Sequence, residues 1–190
     1  MAPLKPKNGL FAIALMICVV LACKQLQSLA RPTVLTSPDG KFQLTVPAGW
    51  IERPSLHATA SIKAANLAQE TYVIVITENK IDFASDMTLD KFTDVTRKAM
   101  LSKVSEGAST PPLPVKINGN EGRQYALEGI VNNVKISYLV TTVETNENYH
   151  QIITWTLRSR IDQNQPMLLK VTESFRPTAA ALASSPGSHP

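Results

Sequence analysis

Residues 115–157 read VKINGNEGRQYALEGIVNNVKISYLVTTVETNENYHQIITWTL, and this stretch decides the fold. It carries three turn signals: Asn118-Gly119, Asn132-Asn133 and the polar run Asn146-Glu147-Asn148. Asn and Gly tolerate the positive φ that tight hairpin turns demand, so the stretch predicts an antiparallel meander. The strands between the turns are expected at 115–117, 122–131, 134–144 and 149–157. In the third, Ile136, Tyr138 and Val140 point one way while Leu139 and Val143 point the other. Neither face of such a sheet is freely solvated, and helices are the covers available to it.

Outward from the meander the same alternation recurs. Ser37-Pro38-Asp39-Gly40 is a turn, after which Phe42, Leu44 and Val46 alternate with polar residues until Pro47-Ala48-Gly49 stops the strand and Trp50 follows. A second strand is expected around 58–64. A third, at 71–77, contains the continuous apolar run Tyr72-Val73-Ile74-Val75-Ile76, the signature of a strand buried on both faces. From Thr88 the period changes: Leu89, Phe92, Val95, Ala99 and Met100 share one helical face, with Asp90, Asp94, Arg97 and Lys98 elsewhere. Thr88 caps this helix, acids crowd its start and Lys98 and Lys103 its end, all favourable to the helix dipole. Pro166, read as a first-turn proline, opens a last helix with Met167, Leu168, Val171 and Phe175 as its apolar stripe. The expected fold is α+β: an α-β-α sandwich, one mainly antiparallel sheet with helices on both faces.

The N-terminal residues have a different logic. Lys5 and Lys7 precede an unbroken apolar run from Leu10 to Ala22, shorter than the roughly 20 residues a membrane-spanning helix needs. A basic start and a short apolar run read as a signal peptide. It ends in Val20-Leu21-Ala22-Cys23, which resembles a bacterial lipobox, with a small residue before the thiol that would be lipidated. The expected organisation is a lipoprotein signal peptide over 1–22, a membrane-proximal tether over 23–36, one domain over 37–177 and a disordered tail over 178–190. Cys18 and Cys23 are the two cysteines, so the domain stands on packing without a disulfide.

The chain has 190 residues and a formal charge of +4. Of its 19 Lys and Arg, Lys5, Lys7, Lys24 and Arg31 precede Thr33, so fifteen basic residues face all 15 acidic ones from Thr33 onward. A balanced domain supplies little of the counterion release that drives nucleic-acid binding, and no basic stripe or aromatic RNA motif accompanies it. Nucleic acid is not an expected partner.

Several of these segments together resemble the PsbP-like group, which also includes the bacterial envelope protein DcrB and a yeast Ran-binding protein. Phe42-Gln43-Leu44-Thr45-Val46-Pro47-Ala48-Gly49-Trp50 looks like the group's opening motif. Asp82-Phe83 leading to Thr88-Leu89, the Asn118-Gly119 turn, Tyr149 to Trp155, and Ser174-Phe175-Arg176 follow in the same order. The resemblance spans most of 37–177 and implies an α-β-α sandwich around one antiparallel sheet. Its members are mostly binding or assembly factors, and it transfers no catalytic residue.

No residue pattern demands a reaction: nucleophile elbow, phosphate loop and dinucleotide fingerprint are all missing from the sequence. His57 and His150 lie far apart, with His189 in the tail, and lack metal-ligand spacing. His150 with Glu144 or Glu147 near a hairpin end, and Asp86, Asp90 and Asp94 at intervals of four, are the remaining donor sets; turn solvation and helix-start electrostatics explain them as well. No catalytic residue, metal or cofactor is expected. Trp50 and Trp155, with His150, are the candidates for touching a ligand or partner, although tryptophans more often anchor a core. The expected function is a monomeric, noncatalytic binding or assembly protein of the cell envelope, facing the periplasm, held to a membrane by lipidated Cys23 and serving an envelope protein partner. The alternative is a binder of small apolar ligands in a pocket between sheet and helix.

Overall fold

The computed structural model describes residues 31–183, so the expected signal peptide over 1–22, Cys18, Cys23, most of the expected tether and His189 lie outside the described residues. Among the described residues eleven strands form two sheets: β1 Thr33–Thr36, β2 Phe42–Val46, β3 Ile51–Glu52, β4 Ile62–Asn66, β5 Thr71–Asn79, β6 Ser105–Ser109, β7 Leu113–Ile117, β8 Asn120–Val131, β9 Val134–Glu144, β10 Asn148–Leu157 and β11 Arg176–Pro177. The large sheet has the order β3-β4-β5-β10-β9-β8-β6, with β7 also paired to β8; β1, β2 and β11 make a small sheet. Every pairing is antiparallel. The helices are α1 Leu89–Leu101, α2 Ile161–Glu173 and the short α3 Ala179–Ala183.

Alternation along β5 and β10 separates two cores. Val73, Val75 and Ile152 face Leu168, Val171 and Phe175 of α2 together with Leu35, Phe42, Leu44 and Val46 of the small sheet. Ile74 and Ile153 face the other way, into a cluster with Tyr125, Leu127 and Val140, against which Met100, Leu101 and Val104 at the end of α1 pack. The two main helices therefore cover opposite faces, and the α+β sandwich expected from the sequence is the observed fold. Two of the three hairpin turns have the predicted chemistry: Asn118, Gly119, Asn132 and Asn133 all have positive φ, from 48° to 87°, whereas Asn146, Glu147 and Asn148 do not.

Several boundaries differ from expectation. Thr33–Thr36, assigned to the tether, is a strand in register with β2, where Leu35 opposes Leu44 and is buried. The fold thus begins before Ser37. Residues 179–183, assigned to the disordered tail, form α3, whose alanines favour helix and whose first turn is capped by Thr178 Oγ1 accepting from Ala181 N–H. The second strand lies at Ile62–Asn66, later than the 58–64 expected. Pro166 falls inside α2, not in its first turn. A tertiary tie holds the extra residues helical: the buried Asn164 side chain donates to Thr156 Oγ1 at 2.9 Å and to the Gln69 carbonyl at 3.3 Å. Ser105–Ser109 has no apolar signal, and pairing with β8 makes it a strand, with a register shift between Ser105 and Ala108.

Candidate functional site: a cleft beside the first helix

Helix α1 covers only part of its sheet face. Thr88 caps it, accepting from Lys91 N–H at 3.3 Å. Its inner side is tied to β8 and β9: Thr93 and Thr142 hydroxyls lie 2.6 Å apart, and Asp90 pairs with Arg123 of β8 at 2.6 Å. Tyr125 is buried beneath it, which pushes its phenol up to about 12. α1 reaches β10 only near Tyr149, and beside the helix the rest of the β5 and β10 part of this face lies open among the described residues. The result is a cleft of about 810 Å³ whose floor carries Ile74, Ile76, Ile153 and Trp155 and whose wall carries Val95, Ala99 and Met100 of α1. That volume lies in the range of small-molecule sites.

The cross-strand register builds the floor. Tyr72 opposes Trp155 and Trp155 opposes Tyr138. Tyr72 and Trp155 stack with centroids 5.1 Å apart and planes 10° apart; Tyr138 tilts against the indole at 6.1 Å. Stacked rings cover one another's faces, so the cleft meets an aromatic row largely by its edges. Burial raises the Tyr138 phenol above its ordinary value.

The two ends of the cleft differ. At one end, around Tyr149, Phe92 stacks on Tyr149 at 4.7 Å and Phe83 meets both rings edge-on. Glu78 opposes Tyr149 across the strands, and Gln151 lies two residues further along β10. Gln151 is buried and donates from Nε2 to Glu78 Oε2 at 3.1 Å. At the other end, past α1, are Lys103 and Leu157, with Glu70 held by Arg160 at 3.2 Å.

The residues singled out from sequence separate. Trp155 lines the cleft. Trp50 lies in the opposite core, 5% exposed, its Nε1 buried without a hydrogen-bond partner among the described residues. His150 is fully buried on that opposite side, with Thr77 and Thr145 hydroxyls on its two ring nitrogens and the rings of Phe42 and Phe175 against it. Neither Trp50 nor His150 is open to a ligand. Glu144 and Glu147, the donors weighed beside His150, pair instead with Lys80 and Lys41. Asp86, Asp90 and Asp94 each pair with a separate cation: Lys91, Arg123 and Arg97. Sequence reasoning missed Tyr72, Tyr138, Glu78 and Gln151. The signal for them was the strand register, which sets them on one face but becomes readable only when the pairing is known.

No family model matches the sequence, and no curated protein does. Solved structures do resemble it. Cyanobacterial PsbP (CyanoP) from Synechocystis sp. PCC 6803 superposes with a TM-score of 0.57 at 16% identity, over 78% of this chain and 94% of that one. LpqN, involved in cell envelope biogenesis of Mycobacterium tuberculosis, gives 0.57 at 14% identity over 78% and 91%. An E65A mutant of Mog1 gives 0.53 at 13% identity over 80% and 98%. At such identities the likeness shows the fold alone, and an open antiparallel sheet with a helix on each face is, in this chain, the PsbP-like fold.

Proposed function

We propose that this chain is a noncatalytic binding protein of the cell envelope, lipid-anchored through Cys23, and that it holds an apolar small molecule in the cleft between α1 and the sheet. The observation that carries the reading is the cleft itself: about 810 Å³ of largely apolar surface on an otherwise well-packed domain. Monomers seldom leave such a surface open without a use for it. The pocket between sheet and helix, the alternative at the level of sequence, thereby becomes the preferred reading of the binding function. An envelope setting is supported by the lipobox-like Val20-Leu21-Ala22-Cys23; among proteins of the same fold, LpqN is involved in cell envelope biogenesis.

The test is native mass spectrometry of the full chain released gently from its membrane, beside Val95→Trp. Val95 is 57% exposed on the cleft wall, so an indole there narrows the cleft without entering a packed core. The expected result is an adduct of small mass on the native protein and none on the variant. An adduct equal on both, or recovery of an apolar segment of an envelope protein seated in the cleft, would overturn the small-molecule reading. Cys23→Ala with membrane fractionation checks the anchor: the variant is expected in the soluble fraction, and retention at the precursor mass would instead mean an uncleaved apolar segment.

A further inference from the structure

The ends of the cleft carry unequal chemistry, and that inequality names the ligand's polar group. Gln151 is 8% exposed, yet it lines the cleft. Its amide orientation follows from its partner. The Glu78 carboxylate accepts only, so the amide must turn Nε2 toward Glu78 Oε2, as observed at 3.1 Å. The Gln151 carbonyl oxygen is thereby directed elsewhere, and no described residue donates to it. Glu78 itself has no cation within ion-pair distance among the described residues, whereas Glu70 and Glu144, the other carboxylates bordering this face, have Arg160 and Lys80. One end of an apolar cleft thus presents two acceptors, one of them anionic, with the Phe83 ring and the Met87 thioether lining the same end. The cleft's lysine, Lys103, lies two residues past the end of α1, and Phe92 to Leu101 alone spans roughly 14 Å of helix at 1.5 Å per residue.

We infer that the cleft takes a cationic amphiphile, with a protonated amine donating to Glu78 and the Gln151 carbonyl and an apolar body lying over Ile74, Ile153 and Trp155. An ammonium group supplies the donor that the Gln151 carbonyl lacks and the countercharge that Glu78 lacks. Lys80, the protein's own cation at this end, lies 5.2 Å from the Tyr149 ring centroid and is held by Glu144 at 2.7 Å, so Glu78 is left without an ion-pair partner among the described residues. This inference rests on the cleft being the binding site.

The test uses the full chain in phosphatidylcholine nanodiscs, with empty nanodiscs as reference, titrated calorimetrically with octylammonium, octanol and octanoate. These probes share one tail and differ in the head. Octylammonium is expected to bind at least about tenfold more tightly than either other probe, the factor a charge-assisted hydrogen bond supplies. Glu78→Gln is expected to abolish that preference, and Val95→Trp to abolish binding of all three. A surface control, Glu121→Gln, is expected to keep the preference. Equal binding of all probes, preference for octanoate, or a preference that survives Glu78→Gln would overturn the cationic ligand while leaving the apolar cleft standing. Binding of none, in a protein whose thermal unfolding is cooperative, would overturn both.

Discussion

His150 Nδ1 lies 3.0 Å from Thr77 Oγ1 in the core, where burial favours the neutral imidazole. Thr145 Oγ1 donates to the Asn148 carbonyl and so can accept from His150 Nε2–H, while Thr77 donates to Nδ1. The Phe42 ring meets the imidazole edge-on at a centroid distance of 4.2 Å. The histidine that looked from sequence like a metal or ligand candidate is a satisfied core residue, and its consequence is for stability.

Burial lowers the His150 pKa from 6.5 to about 3, with the Asp39 charge opposing the shift. Below pH 6.5 the unfolded chain binds a proton there that the folded chain refuses, so stability is full above that value and is lost as pH falls toward about 3. The expected slope is at most about 1.4 kcal/mol per pH unit inside the window. Asp39 titrates in a different range: burial pushes it up, but bonds from Ser37 Oγ and Lys41 N–H outweigh this and hold it below 3.8. Urea unfolding between pH 7 and 4.5 therefore isolates His150. A His150→Leu variant should show a flatter profile; an unchanged slope would place the titrating group elsewhere.

Gly129 sets how closely the chain leaving α1 approaches the sheet. A Cβ there would stand 2.6 Å from the Cβ and Cγ2 of Val104 and 3.2 Å from the Ser105 carbonyl. Gly129→Ala is expected to destabilise by about 1–3 kcal/mol, the usual cost of forcing atoms into a packed site. In a Val104→Ala background the same change should cost clearly less, because the atoms it strikes first are gone. Additive losses in that double-mutant cycle would show that the Ser105 backbone, not Val104, sets the distance.

Much of this fold is legible in sequence because local chemistry and tertiary context agree. Val134–Glu144 has the same bounds in both readings: a two-residue Asn turn precedes it, and β-branched residues fill it. Thr88 caps α1 as its spacing before Leu89 requires. Legibility ends where only pairing decides. Ser105–Ser109 is a strand because β8 is beside it, and α2 runs through Pro166 because Asn164 is tied to Thr156. The candidate site was half visible. Trp155 could be named, but Trp50 has the same composition signal and lies in the other core. Only strand register brings Tyr72, Tyr138 and Gln151 to one face.

Trp50 carries a cost that a substitution can relieve. Its buried Nε1–H has no acceptor among the described residues, and an unmade buried hydrogen bond costs about 1–3 kcal/mol. Trp50→Phe loses ring volume but also loses the orphan donor, so it is expected to stay within about 1.5 kcal/mol of the native protein, while Trp50→Ala should cost about 3–5 kcal/mol. If thermal unfolding puts the two variants at equal cost, the indole N–H is satisfied in solution and volume does not decide the site.

The two core faces make a last, differential prediction. Phe42 is 5% exposed and packs between His150 and Phe175, so Phe42→Ala removes a fully enclosed ring and is expected to cost about 3–5 kcal/mol. Trp155 is half-buried on the cleft floor, with Tyr72 against one face and open space above. Its truncation enlarges a cavity that already exists. The loss is the stacking with Tyr72 and Tyr138, about 0.5–1.5 kcal/mol per pair. Trp155→Ala should therefore destabilise less than Phe42→Ala while weakening octylammonium and octanol binding together, since the indole supports the tail and not the head. Denaturant unfolding and calorimetry on the same variants separate the cases. Equal destabilisation would mean that the cleft closes over Trp155 in solution, and unchanged binding in Trp155→Ala would move the ligand's apolar body off the aromatic row.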